Sequence, residues 1–206
     1  MAHDMILPDR VDSPWLVLRE WEPSDAPALS AAIGRNLEHL RPWMPWVQHE
    51  PLAPEDRVGL ITGWHEGRLA GGDALFGIFI EGAVVGGCGL HRRRGPHGLE
   101  IGYWVDRDHT GRGVATEAAR LLTTTACSMA GVTFVEIHHD QANTASRRIP
   151  EHLGYRLVGE APRAAAAPGE VGIECTWRVE AEGWAASDVR TKSDQVDTQV
   201  CHTARG

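Results

Sequence analysis

Between Leu99 and Asp106 apolar and polar positions alternate. Leu99, Ile101, Tyr103 and Val105 fall on one side, Glu100, Gly102, Trp104 and Asp106 on the other, and a period of two is that of a β-strand. From Val114 onward the period lengthens. Ala115, Ala118, Ala119, Leu121 and Leu122 recur at helical spacing among good helix formers. Between strand and helix lies Thr110-Gly111-Arg112-Gly113, where two glycines carry no Cβ to hold another molecule away from the backbone. A strand, a glycine turn and a helix N-terminus form an anion site, because unpaired N–H groups converge there and the helix dipole favours negative charge. The turn is neither a Walker A loop, which ends in Gly-Lys-Ser/Thr, nor a G-x-G-x-x-G dinucleotide fingerprint.

The same patterns predict the rest of the chain. Residues 15–21 alternate as a first strand, and Ser24 or Asp25 caps a helix that continues through Ala31 and Ile33. In residues 37–46, Leu40, Trp43, Met44 and Trp46 are interrupted by Pro42 and Pro45, which excludes a regular helix. This segment reads either as a hydrophobic plug under the core or as one wall of an acceptor pocket. Pro54-Glu55-Asp56 opens a helix reaching about Leu69, with its acidic residues in the first turn, and Gly71-Gly72 ends it. Strands over residues 74–80 and 83–90 are joined by Glu81-Gly82, a hairpin signal. Residues 92–98 form a polar loop. Residues 133–140 form a strand with Val135 and Ile137 facing one way, Glu136 and His138 the other. Asn143 caps a further helix, and strands come after it over 155–159 and 172–179, with a flexible loop at 164–167.

The resulting order is strand, two helices, three strands, helix, strand, helix, two strands, with one βαβ unit over 99–140. That is an α+β fold of mixed layers, a mostly antiparallel central sheet flanked by helices. The expected division is an N-terminal extension over 1–14, one domain over 15–183 and a polar, flexible tail over 184–206.

Composition narrows the function. The chain has 206 residues, 42% of them hydrophobic and 23% charged, ordinary for one soluble domain. No apolar run approaches a membrane span and the N-terminus lacks a signal-peptide core, so the expected compartment is the cytoplasm, with no membrane partner. The net charge of -8 argues against nucleic acid as a partner and is compatible with a cationic amine. Cys88, Cys127, Cys175 and Cys201 are scattered without C-x-x-C spacing, and the 11 histidines show no ligand spacing, so no disulfide frame and no metal are expected.

Thr110-Gly111-Arg112-Gly113-Val114-Ala115 resembles the Q/R-x-x-G-x-G/A signature of the GNAT acyltransferase superfamily, in which this turn holds the pyrophosphate of coenzyme A. A second block, Asn143-Thr-Ala-Ser146 through Leu153-Gly154-Tyr155, is similar to that family's N-x-x-S…L-G-F/Y block, and Glu100-Ile-Gly-Tyr-Trp104 strengthens the likeness to the RimL/RimJ-type branch. The resemblance spans roughly residues 15 to 180. It implies a GNAT-like fold and an enzyme, an N-acyltransferase that moves an acyl group, acetyl above all, directly from acyl-CoA to a primary amine. The amine is a protein N-terminus or a small molecule, acyl-CoA serves as co-substrate, and a homodimer is allowed. In this reading the backbone of Gly111, Arg112, Gly113, Val114 and Ala115 wraps the pyrophosphate. An N–H near Trp104, Val105 and Asp106 polarises the thioester carbonyl, and Asn143 bonds the pantetheine arm or simply caps its helix. Thr110 stands where the family has Gln or Arg, a departure that shortens a side chain and leaves the backbone cradle.

Many members place a tyrosine acid where this chain has Pro150. RimL-type members use a serine one turn earlier, the place of Ser146. Ser146 is therefore the expected proton donor, beside a helix that Pro150 distorts by offering no N–H to the Ser146 carbonyl. Glu100 is the leading general base, with an ion-paired carboxylate held by Arg92, Arg93 or Arg94 as its alternative, and Glu136, His138 and His91 in reserve. The rival readings are a non-catalytic CoA-binding regulatory module and a transferase using a longer donor such as succinyl-CoA.

Overall fold

The computed structural model describes residues 7–184. Cys201 and the expected tail beyond residue 184 lie outside the described residues. The strands are β1 (Arg10–Asp12), β2 (Val17–Glu20), β3 (Ala74–Ile80), β4 (Ala83–His91), β5 (Gly98–Val105), β6 (Phe134–Asp140), β7 (Arg156–Pro162) and β8 (Ile173–Glu180). The helices are α1 (Ala26–Leu40), α2 (Pro54–Leu69), α3 (Val114–Cys127) and α4 (Thr144–His152). Among the described residues the strands form one sheet in the order β1-β2-β3-β4-β5-β6-β8-β7. Its pairings are antiparallel except β5 with β6, which α3 connects.

Each face of the sheet has its own core. On one, Phe76, Leu90, Leu99 and Ile101 pack with Val114, Ala118 and Leu122 of α3. On the other, Trp21, Phe79 and Val84 pack with Leu29, Ile33 and Ile61 of α1 and α2. Burying one such large side chain contributes about 1.5–3 kcal/mol. The two layers exist because β5 is apolar at its odd positions, which face α3, and polar or bare at Glu100 and Gly102.

Four details differ from the sequence reading. The sheet begins inside the supposed N-terminal extension, since β1 pairs with β2 and Leu7 is buried. Helix α1 continues through Leu40, because Pro42 bars helix only beyond that point. The Leu40 carbonyl then accepts N–H bonds from Trp43 and Met44 that close the end. The 164–167 loop is not slack. Glu170 accepts from the N–H groups of Ala166 and Ala167, and Gly169 N–H donates to the Pro42 carbonyl at 2.9 Å. Trp184, assigned to the tail, is buried, with its Nε1 donating to Thr124 Oγ1 at 3.0 Å.

Candidate active site

The site is built where β5 and β6 part. Their parallel pairing runs only from Gly98↔Phe134 to Ile101↔Ile137, although β5 continues to Val105 and β6 to Asp140. Beyond Ile101 no described strand pairs β5 on its β6 side. Asp106 N–H donates to the Val85 carbonyl of the β4 side at 2.8 Å. Because N–H direction alternates along a strand, Trp104 also turns its amide to β4, while Tyr103 and Val105 turn theirs into the gap. The indole of Trp104 lies instead over Gly87, where a Cβ would stand 2.6 Å from its Nε1.

The turn after β5 is fixed from below. Buried Asp106 accepts from Asn36 Nδ2 at 3.0 Å, Arg35 Nε at 2.5 Å and the N–H of Asp108 at 2.9 Å, and Asn36 Oδ1 accepts from Arg107 N–H at 2.9 Å. Burial alone would raise this carboxyl's pKa. The hydrogen bonds outweigh it and hold Asp106 below the ordinary carboxylate value. The chain then reaches Gly111 and Gly113, both left-handed at φ 71° and 81°. Gly113 is the N-cap of α3, so the first-turn N–H groups of Val114 and Ala115 have no partner within the helix. Nothing lies within 4 Å of where a Cβ on either glycine would stand. The two glycines leave open space above bare backbone, which suits a pyrophosphate, and exposed Arg112 and Arg107 border it.

Across the gap stands α4. Asn143 Oδ1 accepts the N–H of Ser146 at 3.1 Å, so the cap role is realised and its amide N–H₂ stays outside that bond. Ser146 Oγ lies 3.1 Å from the hydroxyl of Tyr103, which also donates to the Ser146 carbonyl at 3.3 Å. That carbonyl is the one Pro150 cannot serve, and the phenol supplies the missing donor. The sequence offered no sign of this partnership, since Tyr103 reads as a core position. Burial pushes its hydroxyl pKa up, keeping it protonated.

A cavity of about 830 Å³ joins these parts. Trp43, Met44 and Trp46 line it, so the 37–46 segment supplies a pocket wall; Trp46 and Trp104 rings approach to 6.3 Å. Gly87, Gly89 and Gly102 form its floor. It is lined by Glu100 and Trp104 from one face of the sheet and by Tyr103, Asn143 and Ser146 from the other, so it passes through the gap between β5 and β6. The 163–172 segment closes one side, held by Asp140, which accepts from the N–H groups of Val171, Gly172 and Ile173.

Glu100 faces this cavity, yet both its oxygens are engaged, Oε2 by Arg94 Nε at 2.6 Å and Oε1 by Arg93 at 3.2 Å. The ion-paired alternative is the one the structure displays. Arg94 also reaches Glu136 at 3.4 Å. His138 is held between Glu136 at 2.8 Å and Glu174 at 3.3 Å, so both ring nitrogens are committed. Glu136 stays below the ordinary carboxylate value, burial being outweighed by His138 and Arg178. His91, at the end of β4, bonds Asp73 through Nδ1 at 2.7 Å.

Comparison with known proteins gives the family and the fold's relatives. A family profile described as "Acetyltransferase (GNAT) domain" matches residues 16–156. A curated protein of Bacillus subtilis (strain 168), YdaF, assigned provisionally as a ribosomal N-acetyltransferase, is 30% identical over 147 residues, covering 71% of this chain and 80% of its own. Among solved structures, RimJ of Mycobacterium smegmatis in complex with CoA-disulfide is 24% identical, with a TM-score of 0.71 over 82% of this chain and 83% of that one. RimL, a ribosomal L7/L12 alpha-N-protein acetyltransferase in complex with coenzyme A, is 21% identical, with a TM-score of 0.75 over 85% and 97%.

Proposed function

The chain belongs to the GNAT acetyltransferase family, and on that premise we propose that it carries an acetyl group from acetyl-CoA to the α-amine of a protein N-terminus, a ribosomal protein's before others. The observation that carries the reading is the cavity that crosses the sheet between β5 and β6. A donor entering over Gly111 and Gly113 and an acceptor entering past Trp43 and Trp46 meet there without either crossing a closed ladder. YdaF and the RimL and RimJ neighbours support the acceptor class by their names. Such an acceptor is met in the cytoplasm. A homodimer is compatible with this reading, since β7 is an edge strand with Leu157 and Val158 exposed.

In this reading acetyl-CoA supplies an activated thioester, and the chain does the rest. The turn 111–115 binds the pyrophosphate through backbone N–H groups, with Asn143 oriented toward the pantetheine arm. The N–H groups of Tyr103 and Val105 polarise the carbonyl where β6 has departed. Ser146 delivers a proton to the leaving sulfur, steadied by Tyr103. Of the titratable groups that line the cavity, Glu100 with its arginine partners and His91 stand on β5 and β4 to receive the proton that the ammonium must lose.

Calorimetric titration with CoA, acetyl-CoA and succinyl-CoA tests the donor half. Micromolar binding with acetyl-CoA at least equal to CoA is expected. Gly113→Trp fills the space above the turn and should abolish it. Unchanged affinity in that variant would remove the cradle. A preference for succinyl-CoA would move the reading to a longer acyl donor. Tight CoA binding without turnover of any amine would leave the regulatory module.

A further inference from the structure

We propose that His91, oriented by Asp73, is the base that takes the proton from the acceptor ammonium. This rests on the transferase reading above and assigns a role that reading left open. His91 and Glu100 are cross-strand partners on the cavity face, and Gly89 pairs with Gly102 next to them. The imidazole folds back over these two glycines. A Cβ built on either would stand 3.2 Å from His91 Nε2. The bare floor thus gives the ring its place, with Nε2 over the residue that immediately precedes Tyr103, where the strand enters the gap. The side chain is 17% exposed and lines the cavity.

Chemistry fixes the tautomer. An ionised carboxylate can only accept, so the Nδ1 that lies 2.7 Å from Asp73 Oδ2 carries the hydrogen, and neutral His91 presents a lone pair at Nε2. Asp73 is itself fixed, because its Oδ1 accepts the N–H of Arg92 at 2.8 Å. Burial alone would raise its pKa, but the Arg92 N–H and His91 hold it below the ordinary carboxylate value, so it stays charged and stabilises the imidazolium once formed. The other titratable and charged groups of this cavity are Arg93 and the Arg94–Glu100 pair beside the ring, His49 and Arg57–Glu50 on one wall, and His138, His139, Asp140, Arg163, Glu170 and Glu174 on the other. Glu100 and His138 each have their acceptor atoms engaged, whereas His91 keeps Nε2 toward the cavity.

The ammonium gives one proton to Nε2, and the freed amine attacks the thioester carbon, whose carbonyl electrons move to oxygen. Collapse breaks the carbon–sulfur bond, and sulfur takes the proton of Ser146. Ser146 regains one from the new amide nitrogen, and His91 releases its own to solvent. Asp73 is a positioning residue throughout.

Two measurements test this on the full chain. Long-range ¹H–¹⁵N NMR of the ligand-free protein reads the His91 ring nitrogens without any acceptor. With the ring neutral, the expected spectrum has hydrogen on Nδ1 and none on Nε2, and Asp73→Asn should mix the tautomers. A resting Nε2–H form would overturn the proposal. Acetyl transfer to peptides beginning with Ser or Ala, tracked from pH 6 to 9.5, reads the role. His91→Gln should lower kcat/KM at neutral pH by about 10²-fold or more with unchanged acetyl-CoA affinity. It should recover toward wild type near pH 9.5, where the α-amine, with a pKa of about 8, is already free. Asp73→Asn should shift the acidic limb of the wild-type profile. An active wild type with an unaltered profile in His91→Gln would overturn the base assignment alone. A wild type that turns over no peptide would remove the transferase reading, and the assignment with it.

Discussion

Tyr103 shares one hydroxyl between two atoms of Ser146, the Oγ at 3.1 Å and the carbonyl at 3.3 Å that Pro150 leaves without a helical donor. A phenol has one hydrogen, so in the proposed transfer it can shift toward Oγ as Ser146 gives up its own proton. Tyr103→Phe should therefore lower kcat about 10-fold, Ser146→Ala about 10²-fold or more, and the double variant no further than Ser146→Ala. Steady-state kinetics on the four proteins reads this cycle; losses that multiply would show the two hydroxyls act separately. Ser146 was singled out in the sequence through the family likeness of the Asn143 block. Tyr103 was not, because alternation marks it as a core residue and only the parting of β5 from β6 brings α4 over it. Glu100 was placed on the right face, but its clamp by Arg93 and Arg94 depends on how the 92–98 loop folds back, which no periodicity encodes.

At the scale of elements, one carboxylate is the main tie between the β7–β8 connection and the rest of the fold, with the Pro42 carbonyl as a second anchor. Asp140 receives four backbone N–H groups, from Ala142, Val171, Gly172 and Ile173. Asp140→Ala should cost about 2–4 kcal/mol, because buried donors lose a charged acceptor. It should also raise KM for the acceptor more than for acetyl-CoA, since the loosened segment walls the proposed acceptor side. Denaturant unfolding and the two KM values check this, and equal changes in both would mean the loop does not belong to the acceptor site. A run of alanines between prolines reads as slack from sequence; its anchors, Asp140 and the Pro42 carbonyl, are distant in the chain. From β2 onward the strands and helices were legible through their periods, whereas three-residue β1 is too short to show one and Pro42 hid the last turn of α1. Glu81 and Gly82, for example, take φ 50° and 81° in the tight hairpin their pairing announced.

For the whole molecule, acid should be the sensitive direction. Glu20, Asp25, Asp73, Asp106, Glu136 and Asp140 are all held below ordinary carboxylate values, hydrogen bonds and ion pairs outweighing the burial that opposes them. A folded pKa below the unfolded one gives stability that is complete above the unfolded value and is lost as pH falls through the folded one, so a steep decline is expected below about pH 4. His139 adds a shallower step. Burial lowers its pKa from 6.5, its Nδ1 donates to the Asp140 carbonyl, and its Nε2 accepts from Trp177. Its neutral form is therefore favoured in the fold, and stability begins to fall as pH drops through about 6.5. Unfolding free energies between pH 8 and 3 measure both steps, and His139→Gln should remove the first. By itself the sequence determined the order of elements from residue 15 onward, the α+β layers and the glycine turn, because these arise from spacings within about 50 residues of chain. Tertiary structure alone decided the gap between β5 and β6, the cavity that passes through it, and the pairs Tyr103–Ser146, Arg94–Glu100 and Asp73–His91. Those depend on where a parallel ladder stops and on which side chains then meet across it, and a ladder's end is set by the packing of whole layers rather than by any local period.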